Sequence, residues 1–443
     1  MKVKELLAYF NIENDSNDLI FEVSDDSKFN HTNWAYINIS SKTNAQEYIL
    51  EARKNQAKVI LSIHKIEGVY FVPDLKDKLL KFLYFFYQIK PKCKIIGITG
   101  TNGKSSLSDF LKQSLLLLKY KVKNVTCKRN SQSYFSSLTT PTTFELFKIV
   151  KKANNERLDY LILEVSSIAI SEKRINGLEF DYLFLTNLKK DHLDYHKSIQ
   201  NYHLTKIGFI KNSNAIKFIP QNINIETDKL VKIRYYIRRV NENNVLYINK
   251  KKIDNNLIFK TNMINASYVY YFLLQLKIDN KLILETIKQL KTLKGRMDII
   301  SNEPKIIIDY AHTSSSFRNI VVESKKLFKR PLILLFGAGG NRDLTKRKEY
   351  AKIANRYANL TILTNDNPRG EEPLKIINSM GDYIENKIII MDRKQAIKYA
   401  ISLLKDEVLL ILGKGDEDYI IYENYQEYHN DYDEVKKCLN KIM

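Results

Sequence analysis

The residues of this chain best suited to phosphate chemistry follow an apolar strand pattern, KIIGIT at 94–99. The next six residues are Gly100, Thr101, Asn102, Gly103, Lys104 and Ser105, and an apolar helix pattern follows them. Glycine lets backbone N–H groups approach phosphate oxygens, and a helix N-terminus adds positive potential. Lys104 would neutralise β- and γ-phosphate charge, and the Ser105 hydroxyl would bind Mg²⁺. Ile98 stands where the standard motif has its first glycine, yet the order strand, glycine turn, GKS and helix predicts nucleotide binding.

Candidate metal ligands follow two further apolar strand patterns. Glu164 ends LDYLILE, and Asp191 and His192 come shortly after FDYLFLTNL. A carboxylate at the carboxyl end of a parallel strand beside a phosphate loop is typical of a Mg²⁺ ligand, although such a residue alone equally suits a helix cap. Zinc is the alternative because His192 and His196 are four residues apart, but the glutamate of H-E-x-x-H is missing. The pattern favours magnesium.

Four polar loops in the last third of the chain each follow an apolar strand pattern. They span residues 309–312, 337–343, 366–369 and 413–417. Ligands of open α/β sheets bind at the carboxyl ends of the strands, so these loops together predict one wall of a site. Each loop taken alone could be a plain turn, since Asn-Pro and Gly-Gly are turn formers.

The elements that carry these loops alternate between strands and helices, which predicts an α/β fold with mostly parallel sheets. We expect three domains: a small N-terminal α/β domain at 1–89, a central P-loop ATPase-like parallel sheet at 90–297, and a C-terminal Rossmann-like α/β domain at 298–443. The segment 213–262, rich in Asn, Lys and alternating Ile and Tyr, predicts antiparallel strands at the edge of the central domain.

Composition and charge argue against several other classes of protein. The 443 residues carry a net charge of +21, but the charge is scattered, so we interpret it as a solvated surface and expect no nucleic-acid partner. Three distant cysteines offer no disulfide framework or zinc ribbon, which fits a reducing compartment. The apolar runs are far shorter than the about 20 residues of a membrane span, and no secretory pattern opens the sequence. We expect a cytoplasmic protein, without membrane insertion.

The ordered motifs resemble those of the Mur ligases, and within this family the enzymes that add the third residue to the peptide of a peptidoglycan precursor. They are TGTNGKSS (99–106), TTPTTFEL (139–146), EVSS (164–167), TNLKKDHLDYH (186–196), NYHLTK (201–206), LKGRMD (293–298), DYAHT (309–313), FGAGGNRD (336–343), TNDNPRGEEP (364–373), DRKQAIKYAI (392–401) and GKGDEDY (413–419). Residues 1–89 match more weakly, mainly through the stretch around Ser27, which is similar to the family's uridine-binding domain.

The resemblance implies a reaction and its partners. The γ-phosphate of ATP passes to a carboxylate of UDP-MurNAc-L-Ala-D-Glu, an amine attacks the acyl phosphate, and phosphate leaves. Two Mg²⁺ ions are implied, together with CO₂, which would convert Lys206 to N6-carboxylysine, an anion suited to the second Mg²⁺. The family acts on small molecules in the cytoplasm, and we expect a monomer.

The resemblance also assigns roles to individual residues. Implied ATP contacts are Gly100, Thr101, Asn102, Gly103, Lys104, Ser105, Asn265, Arg296, Asp309 and His312. Implied catalytic residues are Lys104, Glu164, His192 and Lys206, and implied metal ligands are Ser105, Glu164 and His192. The UDP-muramoyl-dipeptide would meet Ser27, Thr139, Thr140, Ser166 and Arg174, and the incoming amino acid would meet Arg342, Asp366, Asn367, Arg369, Gly413 and Glu417.

Arg369 is the residue from which we predict the amino-acid substrate. A guanidinium pairs bidentately with a carboxylate, and meso-diaminopimelate has a distal carboxylate that lysine lacks. The DNPR motif at 366–369 is similar to the diaminopimelate type within the family. We therefore predict addition of meso-diaminopimelate, with addition of L-lysine by the same kind of ligase as the alternative.

Several positions depart from the family pattern, and other functions stay open. Ile168, Glu172, Ser314–Ser315, Asn341 and Asp416 replace a histidine, a glutamine, Pro-Asp, an aspartate and a histidine, which affects substrate contacts but not the phosphate loop. A folylpolyglutamate-type ligase shares the acyl-phosphate route. A nucleic-acid-dependent NTPase would explain the charge but needs a basic stripe with aromatic residues. A catalytically silent binding protein is the last alternative.

Overall fold

The computed structural model describes residues 1–127, 132–240, 243–341 and 344–440. The chain divides into two compact units. The first comprises Met1–Gly100, Leu115–Thr186 and Gln200–Lys232, and the second comprises Thr101–Ser114, Asn187–Ile199 and Ile233–Met443. Within the described ranges, none of the helices combines the length and the hydropathy that a membrane span needs.

A four-stranded parallel sheet, ordered β1-β2-β3-β4, opens the first unit. Its elements are α1 (Val3–Ala8), β1 (Glu22–Ser24), β2 (Trp34–Asn38), α2 (Lys42–Lys54), β3 (Val59–Ser62), β4 (Tyr70–Phe71) and α3 (Leu75–Phe86). Every residue of β2 and β3 is buried, as expected for parallel strands covered on both faces. Trp34 and Tyr36 of β2 pack with Ile49 of α2 in the core.

The first unit also contains a seven-stranded sheet, ordered β11-β10-β9-β5-β8-β6-β7. The elements between residues 94 and 233 are β5 (Lys94–Thr99), α4 (Lys104–Leu117), β6 (Val122–Thr126), β7 (Ser133–Phe135), α5 (Thr143–Asn155), β8 (Tyr160–Glu164), α6 (Ser167–Ser171), β9 (Tyr182–Leu185), α7 (Leu193–His196), α8 (Ile199–Lys211), β10 (Ile216–Pro220) and β11 (Leu230–Ile233). The pairs β5–β8 and β5–β9 are parallel, and Ile98 lies opposite Glu164. Glu164, the last residue of β8, therefore lies at the edge of this sheet where β5 also ends. Most of α4, and α7, belong to the second unit.

The segment 213–262 differs in part from its prediction. β12 (Tyr236–Val240), β13 (Asn243–Ile248) and β14 (Lys251–Ile253) form an antiparallel sheet of their own, which confirms the antiparallel pairing of this part of the segment. Their place at the edge of the central domain stays a prediction. β10 instead runs parallel to β9, and its residues Phe218 and Ile219 are fully buried, as is typical of parallel strands covered on both faces. α9 (Lys260–Gln275) and α10 (Asn280–Gln289) follow.

A six-stranded sheet, ordered β15-β16-β20-β17-β18-β19, forms the centre of the remaining chain. The elements are β15 (Asp298–Ser301), β16 (Lys305–Asp309), α11 (Ser314–Phe328), β17 (Leu332–Phe336), α12 (Leu344–Tyr357), β18 (Leu360–Leu363), α13 (Pro373–Gly381), β19 (Lys387–Ile389), α14 (Arg393–Ser402), β20 (Val408–Leu412), β21 (Tyr419–Ile421), β22 (Gln426–Tyr428) and α15 (Asp431–Leu439). β15 pairs antiparallel to β16, and the other pairs are parallel. Apolar clusters cover both faces.

The predicted fold class is confirmed: the chain is α/β, with parallel sheets as its main layers. The division into three domains, with boundaries at 89/90 and 297/298, stays a prediction.

Candidate functional site

The glycine turn before α4 is held by the segment that follows β9. Asn187 accepts from the Thr101 N–H through its carbonyl (3.0 Å) and from the Asn102 N–H through its side-chain oxygen (3.1 Å). Its side-chain amide donates to the Asn102 carbonyl at 2.9 Å. Lys104 Nζ lies 3.0 Å from the Thr101 carbonyl, so the ammonium folds back over the turn. Gly103 has φ +83°, the left-handed region that favours glycine.

Asn265 of α9 lies against this turn. A Cβ at Gly103 would stand 3.7 Å from Asn265 Oδ1. The Asn265 side chain is buried, and its Nδ2 has no hydrogen-bond partner among the described residues. A buried amide donor without a partner is costly, so its position beside a phosphate-type turn fits a ligand that would accept from it.

The N-terminus of α11 also contacts the turn. Asn102 Nδ2 donates to Ser315 Oγ at 2.8 Å, and the Thr313 hydroxyl donates to Asn102 Oδ1 at 3.2 Å. Thr313 caps α11 through the Ser316 N–H. Ser315, one of the departures from the family pattern, therefore takes part in positioning Asn102.

Asp309, at the end of β16, organises the next part of the second unit. Its carboxylate accepts from the N–H groups of Met297 (2.7 Å) and Ala311 (2.8 Å). Burial raises the pKa of Asp309, and the Arg296 guanidinium opposes this rise. Arg296 itself stacks 4.1 Å from the centre of the Tyr310 ring. Asp309 thus fixes the backbone directly after Arg296 and directly after Tyr310.

Asp191, His192 and Lys346 form a charged group in the same unit. Asp191 accepts from Lys346 Nζ at 3.0 Å and lies 3.4 Å from His192 Nε2. Burial opposes the charge of Asp191, but His192 and Lys346 hold its pKa below the usual range. Burial lowers the pKa of the His192 imidazole, which favours the neutral form that a metal ligand needs. No motif of the sequence pointed to Lys346.

His312 follows β16 and keeps more than a third of its surface exposed. The dense protein around it and the neighbouring Arg296 nevertheless lower its pKa, with Lys346 and Lys104 acting in the same direction. The imidazole is therefore neutral near pH 7, and it can donate one hydrogen bond and accept another.

The loops after β18 and β20 share a buried polar network. Lys414 is fully buried and donates to Asn367 Oδ1 (3.0 Å) and Glu417 Oε2 (3.1 Å), while Asp366 Oδ1 lies 3.9 Å away. Asn367 Nδ2 also donates to Glu417 at 3.0 Å. A Cβ at Gly413 would lie 2.5 Å from Asp366 Oδ2, so this position needs glycine. Four of the predicted amino-acid contacts are thereby brought together around Lys414, which the sequence analysis did not single out.

Arg369 lies beside this network on the loop after β18. Its NH1 donates to the carbonyls of Gly340 (3.1 Å) and Asn367 (3.3 Å), and its N–H donates to Ile421 of β21 at 2.9 Å. These bonds orient the guanidinium at the carboxyl edge of the sheet. The predicted contact Arg342 lies outside the described residues.

Three of the predicted dipeptide contacts of the first unit meet at the carboxyl end of β8. Thr140 Oγ1 donates to the Glu164 carbonyl at 2.8 Å and accepts from the Ser166 N–H at 2.9 Å. Arg174 NH1 donates to the Thr140 carbonyl, and Arg174 Nε donates to Glu172 at 2.7 Å. Glu164, Thr140, Ser166 and Arg174 are therefore together, with Glu172 paired to the arginine.

The remaining predicted residues of the first unit differ in their settings. Lys206 of α8 is 1% exposed, and its Nζ lies 3.1 Å from the carbonyl of Gly100, the residue after β5. Ser27 is buried and donates to Glu51 of α2 at 2.5 Å, which places it in the four-stranded sheet region. Thr139 is exposed next to the Thr140 cluster. Ser27 thus lies beside the four-stranded sheet, whereas the Thr140 cluster and Lys206 lie beside the seven-stranded sheet.

Two parts of the chain match known domains. Residues 98–278 match the Mur ligase middle domain, and residues 295–415 match the Mur ligase glutamate ligase domain. The chain is 31% identical over 458 residues to the UDP-N-acetylmuramoyl-L-alanyl-D-glutamate–2,6-diaminopimelate ligase of Buchnera aphidicola subsp. Baizongia pistaciae, covering 89% of this chain and 88% of the relative. It is 34% identical to the ligase of the same name from Helicobacter pylori, covering 91% and 95%. The chain belongs to the Mur ligase family.

Solved structures share the fold of this Mur ligase. A structure of a UDP-N-acetylmuramoyl-L-alanyl-D-glutamate–2,6-diaminopimelate ligase superposes with a TM-score of 0.69 at 23% identity, covering 100% of this chain and 99% of the other. The MurF ligase from Thermotoga maritima in complex with ADP gives 0.60 at 15% identity, covering 95% and 97%. A folylpolyglutamate synthase from the same organism gives 0.55 at 17% identity, covering 75% and 89%. The sequence-based assignment to the Mur ligases is confirmed.

Proposed function

We propose that this Mur ligase joins meso-diaminopimelate to UDP-MurNAc-L-Ala-D-Glu in an ATP-dependent reaction. The observation that carries the choice of amino acid is the oriented Arg369 guanidinium beside the buried network of Asp366, Lys414 and Glu417. A fork of N–H donors suits the distal carboxylate of diaminopimelate, and the carboxylates of Asp366 and Glu417 suit its ammonium groups. The two relatives compared above align over most of their length and are named as ligases for this substrate, which supports the proposal.

The chain's contribution to phosphoryl transfer is charge neutralisation and positioning. Lys104 would leave the Thr101 carbonyl to contact the β- and γ-phosphates, and Asn187 would hold the turn in the conformation that presents its N–H groups. Asn265 would contact the nucleotide through its unpartnered Nδ2. Arg296 and His312 would contact the ribose and phosphates, and Asp309 would keep their loops in place.

Ser105 and Glu164 supply the oxygen donors that Mg²⁺ prefers, and the neutral His192 would complete the set. Mg²⁺ would supply charge stabilisation at the transferring phosphoryl group. A carbamate on Lys206, formed when its amine attacks CO₂ and releases a proton, would add one more anion. These ligand roles, a monomeric state and a cytoplasmic location stay predictions.

The substrate carboxylate would be held by the cluster at the carboxyl end of β8. The Ser166 hydroxyl and the Arg174 guanidinium would donate to the anionic muramoyl-dipeptide, and Thr140, which accepts from the Ser166 N–H, would keep Ser166 in place beside it. Transfer of the γ-phosphate to this carboxylate releases ADP and leaves an acyl phosphate. The amine of diaminopimelate then attacks the acyl carbon, loses a proton, and displaces phosphate as the amide forms.

Glu172→Gln is expected to lower the KM for the UDP-muramoyl-dipeptide by about threefold to tenfold, since a charged hydrogen bond contributes about 1.5–3 kcal/mol and part of it is screened at this half-exposed site. Glu172 pairs with the Arg174 guanidinium and therefore competes with an anionic substrate for its N–H donors. Initial rates at varied dipeptide concentration measure the effect, and Lys173→Gln on the neighbouring exposed pair with Asp77 is the control. An unchanged or higher KM would mean that Glu172 only orients Arg174.

The proposal as a whole is tested by phosphate release from purified protein. The assay contains ATP, Mg²⁺, bicarbonate and UDP-MurNAc-L-Ala-D-Glu, with meso-diaminopimelate, L-lysine or no amino acid. We expect release with diaminopimelate and identification of the tripeptide product by mass spectrometry. Preference for lysine would keep the ligase and overturn the substrate. Release with folate and glutamate, or with nucleic acid alone, would overturn the peptidoglycan assignment.

A further inference from the structure

We propose that Arg393, held by Asp431, is a positioning residue that sets the spacing of the two loops that bind the amino acid. Arg393 begins α14 and its side chain is completely buried. Arg393 is not among the residues that we propose to contact the nucleotide, Mg²⁺ or either substrate. The inference rests on the proposed function, because it concerns the subsite for the incoming amino acid.

The guanidinium joins strands that are not neighbours in the sheet. Arg393 NH1 donates to the Asn365 carbonyl at 3.2 Å, and NH2 donates to the Leu412 carbonyl at 3.1 Å. Asn365 follows β18 and Leu412 ends β20, and β17 lies between these two strands. One side chain thus bridges the carboxyl ends of two strands across a third.

The two carbonyls directly precede the residues of the amino-acid subsite. Asn365 is followed by Asp366 and Asn367, and Leu412 is followed by Gly413 and Lys414. The Asp366 carboxylate already stands so close to Gly413 that an added Cβ would lie 2.5 Å away. Because the loops touch, a small change at their bases must alter the distances between Asp366, Asn367 and Glu417.

Asp431 fixes the orientation of Arg393. Its two oxygens accept from Arg393 Nε and NH2, both at 2.8 Å, which is the bidentate geometry. His429 Nε2 contacts the same carboxylate at 2.7 Å and is also fully buried. Burial opposes the charge of Asp431, yet Arg393 and His429 lower its pKa well below the usual range, so the ion pair is maintained at neutral pH.

Lysine at this position tests the inference, because it keeps the charge but cannot donate to three partners in one plane. We expect Arg393→Lys to raise the KM for diaminopimelate about tenfold or more, and to change the KM values for ATP and for the UDP-muramoyl-dipeptide by less than about twofold. Hydrogen exchange of the amides in 365–370 and 413–417 should become faster in the same variant.

Arg330 supplies the matched control. It forms ion pairs with Glu303 and Asp406, just before β16 and β20 begin, at the opposite end of the same sheet. Arg330→Lys should lower the unfolding temperature without changing the KM for diaminopimelate or exchange in the two loops. Arg393→Met combined with Asp431→Leu removes both charges without leaving either unpaired, and its KM should remain raised although the protein folds.

Three results would overturn the inference: an unchanged KM for diaminopimelate in Arg393→Lys, an equal rise for all three substrates, or faster exchange across the whole sheet. A wild-type protein without diaminopimelate-dependent turnover would instead contradict the proposed substrate. The exchange comparison between Arg393→Lys and Arg330→Lys would then still decide whether Arg393 positions these loops.

Discussion

Replacing Lys206 with methionine is expected to slow amide formation by about 10²–10³-fold, the usual cost of removing one preorganised charged group from an active site. Lys206 is almost completely buried, and its Nζ lies 3.1 Å from the Gly100 carbonyl and 3.5 Å from Thr99 Oγ1. Methionine keeps the length and apolar stem of the side chain but removes the nitrogen. Neither the carbonyl contact nor a carbamate can then form.

Lys217 provides the control for this variant. It is also a buried lysine of the first unit, and its Nζ donates to the Asp228 carbonyl at 3.1 Å. Both Lys→Met variants lose a buried ammonium and one bond to a carbonyl, so their unfolding temperatures should fall by similar amounts. Only Lys206→Met should lose phosphate release, measured under saturating substrates after circular dichroism has established folding.

The carbamate has a separate readout. Wild-type activity should fall in CO₂-depleted buffer and return when bicarbonate is added, and isotope-labelled bicarbonate should give a carbamate signal in carbon NMR that Lys206→Met lacks. Activity independent of bicarbonate, together with a strong loss in Lys206→Met, would assign the effect to the ammonium and its carbonyl contact. Full activity of Lys206→Met would remove this residue from the mechanism.

The parts of the site that depend on local sequence could be predicted. The glycine turn at 100–105 and Glu164 at a strand end follow from apolar runs, turn residues and the rule that parallel strands end at one edge. The register of Ile98 with Glu164 agrees with that rule. The four polar loops after 308, 336, 363 and 412 could be placed at strand ends for the same reason.

The residues that hold these loops could not be found from the sequence. Arg393 and Asp431 are 38 residues apart, and Lys414 and Asn367 are 47 apart, so spacing gives no sign that they pair. A lysine in GKGDEDY reads equally well as a solvated residue, and only burial shows that its ammonium is enclosed by Asn367 and Glu417. Partners across a sheet depend on strand order, which a single sequence does not give.

Glu172 illustrates a different limit. The sequence marked it as a departure from the family, but only the structure shows that it pairs with Arg174. The segment 213–262 was expected to form antiparallel strands, yet only the strands of 236–253 do so, whereas β10 joins the large sheet parallel to β9. In both cases the residue types were informative, whereas the partner was decided by tertiary packing.

Replacing Arg369 with methionine is expected to lower kcat/KM for meso-diaminopimelate by about 30-fold to several thousandfold, because loss of one partner of a desolvated charge pair costs about 2–5 kcal/mol. The same change should alter kcat/KM for L-lysine by less than about threefold, since lysine has no distal carboxylate to lose a partner. The preference between the two amino acids, measured by competition and mass spectrometry of the products, should therefore almost disappear.

Arg369→Lys separates charge from geometry. The bonds from NH1 to the carbonyls of Gly340 and Asn367 orient the guanidinium, and lysine cannot keep them while also facing a carboxylate with two parallel donors. We expect its kcat/KM for diaminopimelate to lie between those of wild type and Arg369→Met. Arg356→Met, at an exposed arginine of α12, is the control and should leave both amino acids unaffected. Equal losses for diaminopimelate and lysine in Arg369→Met would show that the arginine holds the loop and does not read the distal carboxylate.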